Sequence, residues 1–272
     1  MTISHALAAA ARRLARVSDT PRLDAELLMA HALAIDRERL LLDSPQEPAP
    51  AAFEDLVARR LRHEPVAYIV GHRAFWTIDL AVGPGVLIPR PDSETLIEAA
   101  IAHFGARAPR HILDMGVGSG ALLLAALAEW PEATGLGIDR SDAALNIARA
   151  NAERLGMGDR ARIERGSWDA AASGKFDLVL CNPPYIETNA ALPRDVSDYE
   201  PASALFAGAD GLDDYRQIAP ALRLPPDGVA CIEIGAEQGT AVRTLFALAG
   251  FDVQIKADLA GRDRCVVVTL RA

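Results

Sequence analysis

Cysteine is scarce in this 272-residue chain. The three present, Cys181, Cys231 and Cys265, each sit in or beside an apolar strand pattern. They form no CxxC and no disulfide framework, so they read as buried, reduced thiols and fit a cytoplasmic protein. The six histidines are scattered without HxxxH or HExxH spacing, and no metal site is expected. No apolar run reaches bilayer-spanning length, roughly 18 residues. The N-terminus mixes apolar and basic residues instead of showing a signal peptide's charged region, apolar region and cleavage site. Neither membrane insertion nor secretion is therefore expected. Excess positive charge is also missing. The net charge is −9 and the pI about 5.2, which argues against affinity built on broad phosphate contacts and so against direct nucleic-acid binding. Glycine is absent from the first 70 residues and strand signals there are few, a composition that suits a small helical bundle.

Half of the residues are hydrophobic, enough to bury one α/β domain of ordinary size and a smaller second one. Apolar residues recur at helix period over 3–17, 24–34 and 51–62, with Pro48 and Pro50 interrupting. Arg12, Arg13, Arg16, Arg59, Arg60, Arg62 and His63 concentrate positive charge here, and a solvated helix face accounts for them. From Phe75 the pattern turns β-rich. Phe75 to Val82 reads as a strand, Gly83-Pro84-Gly85 as a turn, and Val86 to Pro89 as a returning partner strand. A helix is expected from Ser93. Strands then alternate with helices. The expected strands are 111–115, 134–138, 162–165, 175–181 and 229–234, with helices at 120–130, 142–155 and 238–249. Two strands, 251–255 and 265–270, close the chain as an antiparallel edge hairpin. Such alternation predicts a mostly parallel α/β sheet covered on both faces.

The turn Asp114-Met115-Gly116-Val117-Gly118-Ser119-Gly120 lies between a strand and a helix. Its glycines permit positive φ and close approach of backbone N–H groups to a ligand, and the helix beyond favours negative charge. With Ala121 the turn also satisfies the relaxed dinucleotide pattern, so a nicotinamide enzyme competes at this point. Asp139 ends the next strand, where a carboxylate can accept from both hydroxyls of a ribose. Ser141 is available to cap the helix that follows. After the third strand comes Trp168, able to pack on adenine while an adjacent polar group reads the amino edge.

The fourth strand delivers Asn182-Pro183-Pro184-Tyr185. Asn182 Oδ1 and the Pro183 carbonyl can each accept one N–H of a planar nitrogen. Neither proline offers a competing N–H, and each fixes φ near about −65°. Tyr185 can stack on a flat group. Asn-Pro-Pro is also an ordinary way to end a strand, but the glycine turn upstream makes the grip the stronger reading. No histidine or lysine flanks the tetrapeptide to serve as a dehydrogenase's acid–base group. A sulfonium already activates its methyl group and needs none. The cofactor thus reads as S-adenosylmethionine, held by Gly116, Val117, Gly118, Ser119, Gly120, Asp139, Trp168 and Asn182. The acceptor is an amide or exocyclic amino nitrogen, bound by Asn182, Pro183, Pro184 and Tyr185, with Asn182 and Pro183 acting in the transfer itself.

These residues resemble the peptide-chain release factor glutamine N5-methyltransferases nearly end to end. The resemblance is carried by Leu23 to Leu28, Glu64 to Gly71 with Phe75-Trp76, Leu87-Ile88-Pro89-Arg90-Pro91-Asp92-Ser93-Glu94, Asn182 to Ile186, Glu200-Pro201, and Gly261-Arg262-Asp263-Arg264. Val117 departs from it, standing where the family usually has threonine. The resemblance implies a seven-stranded, Rossmann-like methyltransferase sheet behind a helical N-terminal domain. It also implies a substrate, the glutamine of the Gly-Gly-Gln motif in class 1 release factors. The domains are then expected at 1–73 (helical, docking the substrate protein), 74–92 (a β-hairpin linker) and 93–272 (the methyltransferase), in a monomer. Glu187 is the nearest carboxylate to the grip, and Arg90 an anchor for the linker or the substrate loop. Three other readings stay open: a nucleic-acid adenine-N6 methyltransferase, a glutamine methyltransferase acting on a ribosomal protein, and a SAM-binding module without activity.

Overall fold

Five helices open the chain: α1 (Ile3–Leu14), α2 (Pro21–Leu33), α3 (Arg37–Asp43), α4 (Ala52–Arg60) and α5 (Val66–Val70). The computed structural model describes residues 1–43, 47–173 and 176–271. In α1 the buried residues Ile3, Ala6, Leu7, Ala10 and Leu14 fall on one stripe, and Thr2 caps the helix by accepting from His5 N. That stripe packs with Leu28, Met29, Phe53, Val57 and Ile69 into one apolar core. The helices form a compact unit, Met1–His72, which also takes in the distant segment Leu192–Glu200.

The arginines of this unit differ from a uniformly solvated face. Arg60 is buried. Its Nε donates to Asp24 Oδ2 at 2.8 Å, and its Nη2 to the Val17 carbonyl at 3.1 Å and to Asp195 Oδ2 at 3.4 Å. A guanidinium out of water must be paired and hydrogen-bonded, and the acids around it do that. Arg59 pairs with Glu64 and Arg13 with Glu54, whereas Arg12, Arg16 and Arg62 are exposed.

The second unit, Arg73–Ala191 with Pro201–Ala272, holds the sheet. Its elements follow β1 (His72–Phe75) and β2 (Ile78–Ala81). They are α6 (Glu94–Phe104), β3 (His111–Met115), α7 (Ala121–Glu129), β4 (Thr134–Asp139), α8 (Asp142–Arg154), β5 (Ala161–Arg165) and β6 (Leu178–Cys181). After a short helix of the first unit, α9 (Arg194–Ser197), come α10 (Asp213–Ala221), β7 (Val229–Glu233), α11 (Gly239–Leu248), β8 (Phe251–Ala257) and β9 (Asp263–Leu270). The strand expected over 175–181 begins at Leu178, and Lys175 lies outside the described residues.

Seven strands form the sheet in the order β5-β4-β3-β6-β7-β9-β8. β5, β4, β3, β6 and β7 pair in parallel, and β9 pairs antiparallel with both β7 and the edge strand β8. Alternate side chains serve opposite faces. Ile112, Leu178 and Leu180 join α6, α7 and α8 in one core, while Leu113, Val179 and Cys181 join α10 and α11 in the other. Burial on both faces explains why these strands read as unbroken apolar runs.

The hairpin lies elsewhere than expected. β1 and β2 pair with each other, so the chain turns at Trp76-Thr77, and Val86–Pro89 is not a strand. Trp76 takes φ 53° and its N–H is held by Glu94 Oε1 at 2.8 Å, which breaks the β run there. Pro84 and Pro89 have no N–H for a ladder, and Val86 and Ile88 are buried instead. Asn151, fully buried in α8, fastens β2 to the glycine turn. Its Oδ1 accepts from Ala81 N, and its Nδ2 donates to the carbonyls of Ala81 and Ser119.

Candidate active site

The strand order reverses between β3 and β6, since the chain proceeds outward from β3 through β4 to β5 and then returns to β6 on the other side. A crevice opens beyond the carboxyl ends of two such strands, and open α/β sheets bind ligands there. Met115 and Cys181 are register partners at those ends, so the glycine turn after Met115 and Asn182 after Cys181 face one crevice. Its cleft has about 230 Å³ of room. Gly116, Val117, Gly118, Ser119, Asp139, Trp168, Asn182 and Pro184 line it, with Asp114 and Asp214.

Gly116 illustrates why glycine stands in the turn. It has φ 74°, and a Cβ there would meet the Trp168 ring at 3.4 Å and the Asn182 carbonyl at 3.9 Å. Gly120, also at positive φ, caps α7 and lies outside the cleft lining; a Cβ would reach Leu124 at 2.9 Å. Val117 is buried, its Cγ2 within 2.6 Å of where a Cβ on Gly137 would stand. The valine methyl packs against β4.

Asp139 closes the turn from the far side. Its Oδ2 accepts from Gly118 N at 3.1 Å and its Oδ1 from Ser141 N at 2.9 Å, while Ser141 caps α8. Each carboxylate oxygen keeps a further lone pair for a ligand. Trp168 Nε1 donates to Asp214 Oδ1 at 2.8 Å. Burial raises the Asp214 carboxyl above its usual range, against the pull of that Trp168 hydrogen bond. Asp169, beside Trp168 in sequence, is exposed and bonded to Ser167, so the acid next to the indole comes from α10 instead.

Asp114 is a functional candidate that sequence reasoning passed over. It is 1% exposed. Its Oδ2 accepts from Leu123 N at 3.0 Å, while Oδ1 is buried without a hydrogen-bond partner. Burial pushes its carboxyl up to about 7; the Leu123 N–H opposes the rise and the charge of Asp139 adds to it. An unpartnered carboxylate oxygen at a cleft wall is costly unless a cation or donor meets it.

The Asn182-Pro183-Pro184-Tyr185 segment divides between cleft and interior. Asn182 and Pro184 line the cleft, while Pro183 and Tyr185 lie outside that lining and Pro183 is buried. Asn182 Nδ2 donates to Ser93 Oγ at 3.2 Å. Tyr185 OH donates inward to Glu233 Oε1 at 3.1 Å, and the Tyr185 carbonyl accepts from Gln238 Nε2 at 2.9 Å. Burial and the Glu233 charge raise the phenol's pKa, so it keeps its proton. Glu187 is exposed and outside the cleft lining. Arg90 is half-buried and also outside it, its carbonyl accepting from Ser93 N at the start of a short Pro91–Ser93 turn.

Residues 5–71 match the PrmC N-terminal domain, and residues 92–198 match the methyltransferase small domain. A release factor glutamine methyltransferase from Rhodospirillum rubrum is 45% identical over 263 residues, spanning 93% of this chain and 80% of its own. Another, from Cereibacter sphaeroides, is 44% identical over 282 residues and is matched over 100% of both chains. This chain belongs to the release factor glutamine methyltransferase family. Membership removes the nicotinamide reading and favours glutamine methylation over the adenine and non-enzymatic alternatives. Among solved structures, a methyltransferase from Pyrococcus furiosus aligns with TM-score 0.53 at 17% identity, over 79% of this chain and 97% of its own. The Thermus thermophilus 16S rRNA N2 G1207 methyltransferase, solved with AdoMet and guanosine, aligns with TM-score 0.51 at 19% identity, over 74% and 50%. At such identities the likeness concerns the fold, the seven-stranded sheet of a methyltransferase. Among the described residues no helix is long and apolar enough to cross a membrane, and no group of three His, Cys, Asp or Glu stands ready for a metal ion.

Proposed function

We propose that this enzyme transfers a methyl group from S-adenosylmethionine to the side-chain amide nitrogen of the glutamine in the Gly-Gly-Gln motif of class 1 release factors. The observation that carries the reading is Asn182, set at the switch point beside the glycine turn with its Nδ2 engaged by Ser93. That leaves Oδ1 as the acceptor for a substrate N–H. S-adenosylmethionine fits the cleft. The orphaned Asp114 Oδ1 needs a cationic or N–H partner, Asp139 ends β4 with lone pairs for ribose hydroxyls, and the Trp168 ring stands over the turn for adenine.

When bound, S-adenosylmethionine supplies a methyl group already activated by its sulfonium. What the protein must supply is a positioned nitrogen. An amide lone pair is delocalised into its carbonyl and attacks poorly. Asn182 Oδ1 and the Pro183 carbonyl accept the two N–H groups and so direct the lone pair. The same acceptors bind more strongly as positive charge develops on nitrogen, which favours the transition state over the ground state. Positioning of this kind supplies roughly 7–11 kcal/mol in favourable cases. Labelled S-adenosylmethionine offered with release factor, ribosomal protein and DNA in parallel tests the reading. Label on the Gly-Gly-Gln glutamine supports it; label confined to either other substrate overturns it.

Asp114 gives the cofactor reading a pH dependence. Its folded-state pKa lies above the ordinary carboxylate range, so the ligand-free protein loses stability as pH rises toward about 7. A cation bound at Oδ1 favours the ionised form. S-adenosylmethionine affinity is therefore expected to tighten as pH rises from about 5.5 to 7.5, with proton release on binding. Calorimetry in buffers of different ionisation enthalpy measures that release. Asp114→Asn should abolish it, and a release that survives the substitution would place the titrating group elsewhere.

The helical unit docks the release factor in this reading and does no chemistry. Every proposed cofactor and grip residue lies beyond residue 110, and a Gly-Gly-Gln loop offers little surface for choosing one protein. Exposed arginines suit such a role. Arg12, Arg16 and Arg62 are the candidates, since Arg59 and Arg60 are held by Glu64 and Asp24. Replacing all three by glutamate is expected to lower kcat/KM on intact release factor by about 10-fold, with a short glutamine peptide unaffected. Equal losses on both substrates, or no loss on the intact factor, would rule the docking role out.

A further inference from the structure

Glu233 has no part in the chemistry described so far, yet it is fully buried at the end of β7, directly behind the Asn182–Tyr185 segment. Ser93 Oγ donates to its Oε2 at 2.5 Å, and Tyr185 OH donates to its Oε1 at 3.1 Å. The Glu233 backbone carbonyl accepts from Tyr215 OH at 2.8 Å, which fixes the strand end. Burial raises the pKa of this carboxyl and the charge of Asp92 adds to the rise, against the two hydroxyl donors and the nearby charge of Arg264. Both of its oxygens accept from those hydroxyls.

One proton decides the orientation of the catalytic amide. Serine has a single O–H. Directed at Glu233 Oε2, it leaves only lone pairs facing Asn182. Asn182 must then offer its NH2 to Ser93, as it does at 3.2 Å, and its Oδ1 turns to the cleft. Were the serine proton free to point the other way, the amide could reverse and present N–H groups to a substrate that also presents N–H groups. That arrangement repels the substrate amide instead of gripping it.

We infer that Glu233 is a positioning residue: through Ser93 it sets which end of the Asn182 amide faces the substrate, and through Tyr185 it holds the other end of the same segment. This rests on the glutamine-methylation reading. The sequence signal is an acid near the end of the otherwise apolar run Val229-Ala230-Cys231-Ile232-Glu233-Ile234.

The test uses the full-length enzyme with Glu233→Gln, Ser93→Ala and both together. Glutamine keeps the shape and can donate to Ser93, which frees the serine proton to turn toward Asn182. Each single variant is expected to lower kcat on the Gly-Gly-Gln substrate by on the order of 10- to 100-fold, the scale of a misplaced reacting group. S-adenosylmethionine affinity, read by calorimetry, should stay at the wild-type value. Because Glu233 acts through Ser93, the double variant should lose little more than the worse single one, whereas independent effects would multiply. Wild-type kcat in Glu233→Gln overturns the inference, as do losses that multiply or that fall equally on cofactor affinity. If Glu233→Gln does not fold, wild-type kcat in Ser93→Ala overturns it alone. The wild-type enzyme run alongside separates the two levels, since its failure to methylate the glutamine strikes at the functional reading instead.

Discussion

Asn182→Ala is expected to lose methyl-transfer activity by about two to three orders of magnitude, comparable with removing one donor from an oxyanion hole. The loss should fall on kcat. Asn182 supplies the side-chain acceptor for one substrate N–H, and that interaction strengthens as the nitrogen becomes positive. Its Nδ2 contact with Ser93 shows that the side chain is held before any substrate arrives. Cofactor affinity should change far less, because Asp139, Trp168 and Asp114 stand on other strands and loops of the cleft. Steady-state kinetics on release factor, with calorimetry for S-adenosylmethionine, separate the two. Near-normal turnover in the alanine variant would sink the proposed grip. Asn182→Asp is a second probe. It keeps an acceptor toward the cleft but loses the N–H given to Ser93, so Ser93 and Glu233 would face an extra negative charge in a buried place.

Much of this architecture was readable from residue order alone. The β3–turn–α7 unit and the strand before Asn182 stood out because buried parallel strands and glycine turns have distinctive local patterns. The order of β9 between β7 and β8 did not. Two adjacent apolar runs separated by a short loop announce an antiparallel hairpin, but not which of the two pairs with β7. The linker hairpin was misplaced for a related reason. The turn at Trp76 depends on Glu94, eighteen residues on, accepting from its N–H, and no dipeptide signal marks it. α10 was missed as well, since Asp213-Asp214-Tyr215-Arg216-Gln217-Ile218-Ala219-Pro220-Ala221 holds a proline inside its last turn and few large apolar residues. Yet α10 brings Asp214 to the Trp168 indole. Motif reading found the atoms that face the cleft. It passed over Asp114, Ser93 and Glu233, whose parts depend on burial and on hydrogen bonds between residues far apart in sequence.

Substitution of Asp139 is expected to act on the cofactor, and the choice of replacement decides what is learned. The carboxylate does two things. It holds the glycine turn and the start of α8 by accepting from Gly118 N and Ser141 N. In the proposed complex it also accepts from ribose hydroxyls. Asp139→Ala removes both, so a fall in affinity would mix loop disorder with lost ligand contacts. Asp139→Asn keeps one acceptor oxygen, enough for Ser141 N, removes the charge and loses only the bond from Gly118 N, which would face the new NH2. Hydrogen bonds to a charged group are worth about 1.5–3 kcal/mol each, so each ribose bond lost corresponds to a Kd for S-adenosylmethionine raised about 10- to 150-fold. Alanine should reach the upper part of that range or beyond and lower the melting temperature. Asparagine should weaken binding while lowering the melting temperature of the ligand-free protein less than alanine does. Calorimetry with S-adenosylmethionine and its demethylated product reads the first quantity and thermal unfolding the second. A ribose-lacking analogue such as methionine offers the decisive control, since its weak binding should not respond to the asparagine change. If asparagine leaves S-adenosylmethionine affinity untouched while alanine lowers affinity and stability together, Asp139 is a brace for the turn and the ribose is held by something else.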